Sequence, residues 1–110
     1  MEPNTDYAES EPSRSAVDAL TEPTVIEFGA PWCGHCLAAQ PLIASALAVH
    51  LLVRRIKIED GPGRALGRSF CVKRWPTLIF LQRGREVARL VRPAEASAIE
   101  QALMQIDSAS

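Results

Sequence analysis

A chain of 110 residues suits one compact domain and leaves little room for a second. With 47% hydrophobic residues it can bury a core, which excludes global disorder, and no apolar run approaches the roughly 20 residues needed to cross a bilayer. The net charge of −1 hides an uneven spread: seven of the thirteen acidic residues lie at or before Glu27, and eleven of the twelve basic ones lie between Arg54 and Arg92. The bland reading is a solvated basic face with an acidic tail; the sharper one is a basic rim that attracts acidic partner proteins. Nucleic-acid binding is disfavoured, because the basic residues are scattered over several elements and few aromatics, Trp75 and Phe80 among them, interleave with them.

Residues 1–12 carry Glu2, Asp6, Glu9 and Glu11, two prolines and no basic group, and are expected to form a flexible acidic tail before a domain spanning 13–110. This stretch lacks the positive start and apolar segment of a secretory signal, so a cytoplasmic location is expected. A short helix is expected over Ser13–Leu20, ahead of Pro23, and the β-branched Thr24–Gly29 reads as a buried strand. After Pro31-Trp32-Cys33-Gly34-His35-Cys36 an Ala/Leu-rich helix runs to about His50, with Pro41 as an expected kink. Leu51–Ile58 reads as a strand, Gly61–Gly63 as a loop, Arg64–Phe70 as a short helix, and Thr77–Leu81 and Glu86–Val91 as strands joined by a hairpin at Gly84. Ala94–Ile106 aligns Ile99, Leu103 and Ile106 on one face and closes the chain as an amphipathic helix. The expected fold is α/β: a mixed four-stranded sheet flanked by helices on both faces. The early, helix-separated strands are expected to run parallel and the last pair antiparallel.

The chemistry gathers at Cys33-Gly34-His35-Cys36, between a predicted strand and a predicted helix. A helix start offers free N–H groups and partial positive charge, which favour a thiolate on Cys33; Cys36, a turn further in, is expected to be less exposed. Cys33 then reads as the nucleophile that attacks a substrate disulfide and Cys36 as the thiol that resolves the mixed disulfide. Gly34 lets a partner backbone approach, and Trp32 gives an apolar shoulder beside the thiol. The competing reading is a zinc half-site, but only Cys71, His35 and His50 are available to complete it, and there is no second Cys-x-x-Cys. No metal and no cofactor are expected.

Five features together resemble the thioredoxin family over roughly residues 15–106: the acid inside Val25-Ile26-Glu27-Phe28, the Trp32–Cys36 motif, Pro41, the Trp75-Pro76-Thr77 turn and Gly84. The resemblance implies a thioredoxin-like fold and protein thiol–disulfide exchange on disulfide-containing clients, with recycling by a thioredoxin reductase. It also implies a monomer. Pro76 is implied to be cis against the thiols, with a client strand pairing along Trp75. Several positions depart from the pattern. His35 stands where proline is usual, as in protein disulfide isomerases; Glu27 replaces an aspartate; and Arg55 takes the place of the facing lysine. Arg74 and Arg92 replace small residues beside the groove, and the N-terminal strand is missing.

Glu27, in an apolar strand, invites two readings. Burial disfavours its charged form, which would let it take the Cys36 proton. Otherwise it forms a plain ion pair with Arg55. Cys71 is expected to be a buried small hydrophobe, and His50 an interaction at a helix C-terminus. Two functions compete: an oxidoreductase working through the Cys33–Cys36 couple, and an adaptor that docks one acidic partner through Arg74 and Arg92. The intact cysteine pair favours the first.

Overall fold

The computed structural model describes residues 6–107; the expectation for residues 1–5 of the acidic tail lies outside them. The elements are α1 (Arg14–Asp18), β1 (Thr24–Gly29), α2 (Gly34–Leu47), β2 (Arg54–Glu59), α3 (Ala65–Ser69), β3 (Thr77–Gln82), β4 (Arg85–Val91) and α4 (Ala96–Ile106). They form a four-stranded sheet ordered β2-β1-β3-β4. β1 lies inside the sheet with all six residues buried, as its β-branched, apolar sequence requires.

The period of two along β1 and β3 sorts the core into two layers. Val25, Leu78 and Phe80 pack against α2 (Ala39, Ile43, Ala46) and α4 (Ile99, Leu103, Ile106). Ile26, Phe28, Ile79 and Leu81 pack on the opposite face against Val17 of α1 and Leu66 of α3. Glu27 and Gly29 share parity with Val25 and therefore face α2, the helix that carries the cysteines.

β2 runs parallel to β1, whereas β3 runs antiparallel to it, which corrects the expectation of parallel early strands. α3 has five residues, about 7.5 Å of helix, against the roughly 20 Å of a six-residue strand. It cannot carry the chain back along the sheet, so β3 starts at the end where β2 stops. β3 and β4 pair antiparallel as expected, with a register shift at Phe80/Leu81. β2 begins at Arg54 rather than Leu51. Leu51 and Leu52 are exposed in a turn held by His50 N–H to the Leu47 carbonyl and Val53 N–H to the His50 carbonyl. α2 continues through Pro41.

Residues ahead of 13 also contact the rest of the chain. Residues 6–12 form no strand, and they are tied to the domain. Ala8 N–H donates to the Lys57 carbonyl at 2.9 Å. The Glu11 carboxylate accepts from the backbone N–H groups of Ala65 and Leu66 at 2.9 and 3.1 Å, and so caps α3. Glu11 serves as a cap, a role that the acidic composition of the segment does not reveal.

Candidate active site

Cys33 is the N-cap of α2, in extended backbone (φ −83°, ψ 116°), and its Sγ accepts the Cys36 N–H at 3.2 Å. Both cysteines are free thiols. Cys33 is 8% exposed and Cys36 2%, so the expected order of accessibility holds. Cys33 is nonetheless more enclosed than a surface nucleophile, because Ala30 and Trp75 pack around the pair. Burial, first of all, and the hydrogen bond with Cys33 push the Cys36 thiol up to about 11.

Beneath the thiols the alignment of helix and strand is regular. Cys36, Gln40 and Ile43 succeed one another along the inner face of α2. Gly29 lies under Cys36: a Cβ there would stand 2.5 Å from Cys36 Sγ, so only glycine admits the sulfur at this depth. Glu27 lies under Gln40. Gln40 Nε2 donates to Glu27 Oε2 at 2.7 Å and to the Cys36 carbonyl at 2.9 Å. Arg55 donates to Glu27 Oε1 from Nη2 at 2.7 Å and from Nε at 3.2 Å. The same Nη2 reaches Gln40 Oε1 at 2.7 Å, and Lys57 Nζ reaches that oxygen at 3.2 Å.

The ion pair with Arg55 is therefore formed, and the carboxylate accepts three hydrogen bonds in all, two from Arg55 and one from Gln40. Sequence reasoning found Arg55 but missed Gln40 and Lys57. Lys57 is the residue directly beside Glu27 in the β1–β2 register. Burial lowers the affinity of its amine for a proton, and the Glu27 charge opposes that effect. The alternation Arg55-Ile56-Lys57, two cations on one face of a strand next to the acid, was the available signal.

Around the thiols, Trp32 is 74% exposed and stands edge-on to Trp75 with ring centroids 5.4 Å apart. Trp75 Nε1 donates to Asp60 Oδ2 at 2.9 Å, a partner the sequence reading did not name. The Trp75–Pro76 peptide is cis. Gly34 and His35 occupy the first two positions of α2, exposed beside Cys33.

The two rim arginines do different things. Arg92 Nε donates to the Trp75 carbonyl at 2.8 Å, while Arg74 lines a separate hollow with Cys71, Lys73 and Arg89. Cys71 is exposed, which corrects its expected place in the core. It follows α3 in the left-handed conformation (φ 59°), and Val72 N–H closes back onto the Gly67 carbonyl. That helix-ending turn sends Phe70 into the core and the next side chain outward. His50 does not cap α2 through its side chain; Nδ1 meets Asp107 Oδ2 at 2.5 Å, tying the end of α2 to the end of α4. Among the described residues no group of three or more His, Cys, Asp or Glu side chains is placed to hold a metal, and no helix is long and apolar enough to cross a membrane.

A dithiol at a helix start, backed by a buried acid and faced by a cis-proline turn, defines the class of thiol–disulfide oxidoreductases. Comparison with known proteins narrows the class. Residues 6–105 match the profile of the thioredoxin family. Thioredoxin 2 from Pseudomonas aeruginosa PAO1, solved in its reduced form, is 51% identical with a TM-score of 0.86, covering 98% of this chain and all of that one. The thioredoxin of Mycobacterium bovis is 36% identical over 81 residues, 69% of this chain and 68% of its own length. Human protein disulfide-isomerase A2 is 42% identical over 64 residues, 54% of this chain but 12% of that much longer protein. The chain belongs to the thioredoxin family.

Proposed function

We propose that this chain reduces or exchanges disulfides in client proteins, with Cys33 as the nucleophile and Cys36 as the resolving thiol. The observation that carries the assignment is the asymmetry of the sulfurs. Cys33 Sγ sits at the helix start and already receives a backbone N–H, whereas Cys36 is sealed beneath it. In the first step Cys33 thiolate attacks a client disulfide, and one client thiolate leaves. In the second step Cys36 loses its proton and attacks Cys33 Sγ. The Cys33–Cys36 disulfide forms and the second client thiolate departs and is protonated. The chain loses two electrons and the client gains them.

Trp32, Gly34, Trp75 and Pro76 form the surface that meets the client. The partners that follow are disulfide-containing proteins and a thioredoxin reductase that recycles the chain, acting as a monomer in the cytoplasm. The reading as an adaptor with incidental redox activity is not favoured, since the dithiol is intact and set at the helix start. The test is insulin reduction in the presence of dithiothreitol. The wild-type chain is expected to accelerate precipitation of the B chain, and a rate equal to dithiothreitol alone would overturn the proposal.

Two further outcomes are expected. His35→Pro lowers the reduction potential of the couple by some tens of millivolts. When protonated, an imidazole at the second position of α2 stabilises the Cys33 thiolate and so the reduced state, which raises the potential. Thioredoxin and protein disulfide isomerase differ by roughly 90 mV, so one side chain supplies a fraction of that span. Redox equilibrium against glutathione measures it, and an unchanged or higher potential contradicts the account.

Arg92 and Arg74 are expected to differ in client choice. Arg92→Ala frees the Trp75 carbonyl and removes a charge from the groove. It is expected to slow reduction of acidic peptides about threefold relative to basic ones, the size of one rim charge, with a weaker salt dependence. Arg74→Ala is expected to change little. Equal responses of the two variants in a peptide-reduction assay would show that the hydrogen bond at Trp75 is irrelevant to selection.

A further inference from the structure

Tyr7 is the single tyrosine of the chain, and it stands among acidic and small residues. The segment that follows it is fixed twice: Ala8 bonds the edge of β2, and Glu11 caps α3. The ring is half-buried against Lys57, whose Nζ lies 4.5 Å from the ring centroid. The hydroxyl reaches the innermost part of the active site. The point a Gly29 Cβ would occupy lies 2.9 Å from Tyr7 Oη and 2.5 Å from Cys36 Sγ, so phenol and thiol converge over the same bare backbone atom. The coupling between them has the sense of O–H donation to sulfur: the phenol eases loss of the Cys36 proton, and the sulfur holds the phenol's own.

We propose that Tyr7 is a catalytic residue of the second half-reaction, donating its O–H to the Cys36 sulfur as the thiolate forms and aiming that sulfur at Cys33. This rests on Cys36 being the resolving thiol.

The physical need is plain. Cys36 must become an anion at a place where burial holds its proton to about 11. The groups that face it are Cys33 across the motif, Glu27 with its partner Arg55 on the strands below, Lys57 on β2, and Tyr7. Arg55 is engaged by Glu27, and Lys57 donates to Gln40 and lies over the Tyr7 ring. Tyr7 is the neutral donor placed at the sulfur itself. A hydrogen bond to a developing anion is stronger than one to the neutral thiol, so it favours the attacking form.

Tyr7 is not the base. Its own proton is held well above the ordinary phenol range, first by burial and then by the nearby Cys36 and Glu27 charges, so it stays a donor throughout. The proton that Cys36 gives up is balanced by the one the departing client thiolate takes. Tyr7 ends the step as it began, with no net proton gained or lost.

The test is single-turnover kinetics on a client disulfide, separating formation of the mixed disulfide from its resolution, for wild type, Tyr7→Phe, Tyr7→Ala and Cys36→Ser. Tyr7→Phe keeps the ring against Lys57 and removes only the hydroxyl. It is expected to leave the first step unchanged and to slow resolution about tenfold, the weight of a hydrogen bond to a charged group, with the pH profile of resolution moved up by about one unit. Resolution at the wild-type rate with an unmoved profile would overturn the proposal. So would slow resolution in Tyr7→Ala alone, which would make the ring a cover and the hydroxyl idle. Cys36→Ser separates the two levels. Failure of that variant to accumulate mixed disulfide would overturn the assignment of Cys36 and with it the role of Tyr7; accumulation, together with an unaffected Tyr7→Phe, would overturn Tyr7 alone.

Discussion

Cys33→Ser is expected to abolish disulfide reduction, and Cys36→Ser to leave the chain covalently joined to its clients. A serine hydroxyl at the N-cap still caps α2, because it accepts the same backbone N–H, so the fold survives the first substitution. What is lost is the thiolate, and no other group at the helix start can attack a disulfide. In Cys36→Ser the nucleophile is intact and the first step proceeds. The mixed disulfide then has no internal thiol to displace it, since Cys71 is exposed on a different hollow, beside Lys73 and Arg89. Client adducts separated on non-reducing gels measure the effect, with Cys71→Ser as a parallel control expected to behave as wild type. Adducts through Cys71 in the Cys33→Ser background, as abundant as those in Cys36→Ser, would reverse the assignment of roles.

How much of this was legible in the sequence depended on the range of the interaction. Strand and helix identities follow from local pattern, so β1, β3 and the closing helix fall within two residues of their expected bounds. The cysteine pair and its flanking strand and helix are also local, and the sequence placed them correctly. The direction of β3 depended on whether a five-residue helix spans the sheet, which no periodicity reports. Cys71 reads as core from its residue type, but its position after α3 in a left-handed turn decides its exposure. Tyr7 was hidden most completely. Its neighbours have the composition of a tail, and its place beside Cys36 arises from a long-range contact over Gly29 that no local pattern reports. One aromatic residue in a polar stretch was the only trace.

Arg55→Met is expected to cost about 3 kcal/mol of stability, the low end of the range for breaking a buried ion pair. Glu27 is 0% exposed, and its carboxylate is held by two donors from Arg55 and one from Gln40. Taking Arg55 away leaves a charge with little access to water and one neutral donor. Lys57 is the reason for the low end: it lies next to Glu27 in the register and interacts with its charge, so part of the compensation remains. Against a total stability of roughly 5–15 kcal/mol such a loss is large, and about 12–24 °C in melting temperature is expected for a domain near this size. Glu27→Leu combined with Arg55→Leu removes both charges and is expected to recover most of the loss, because apolar replacements of a buried pair are often neutral or stabilising. Urea unfolding of the three proteins measures this. A further variant, Glu27→Gln, decides between the two readings of Glu27. If the carboxylate serves chiefly as the anchor of the Arg55–Gln40 cluster, Glu27→Gln lowers the unfolding midpoint more than it slows resolution of the mixed disulfide. A Glu27→Gln variant as stable as wild type but markedly slower in resolution would restore the carboxylate as the acceptor of the Cys36 proton.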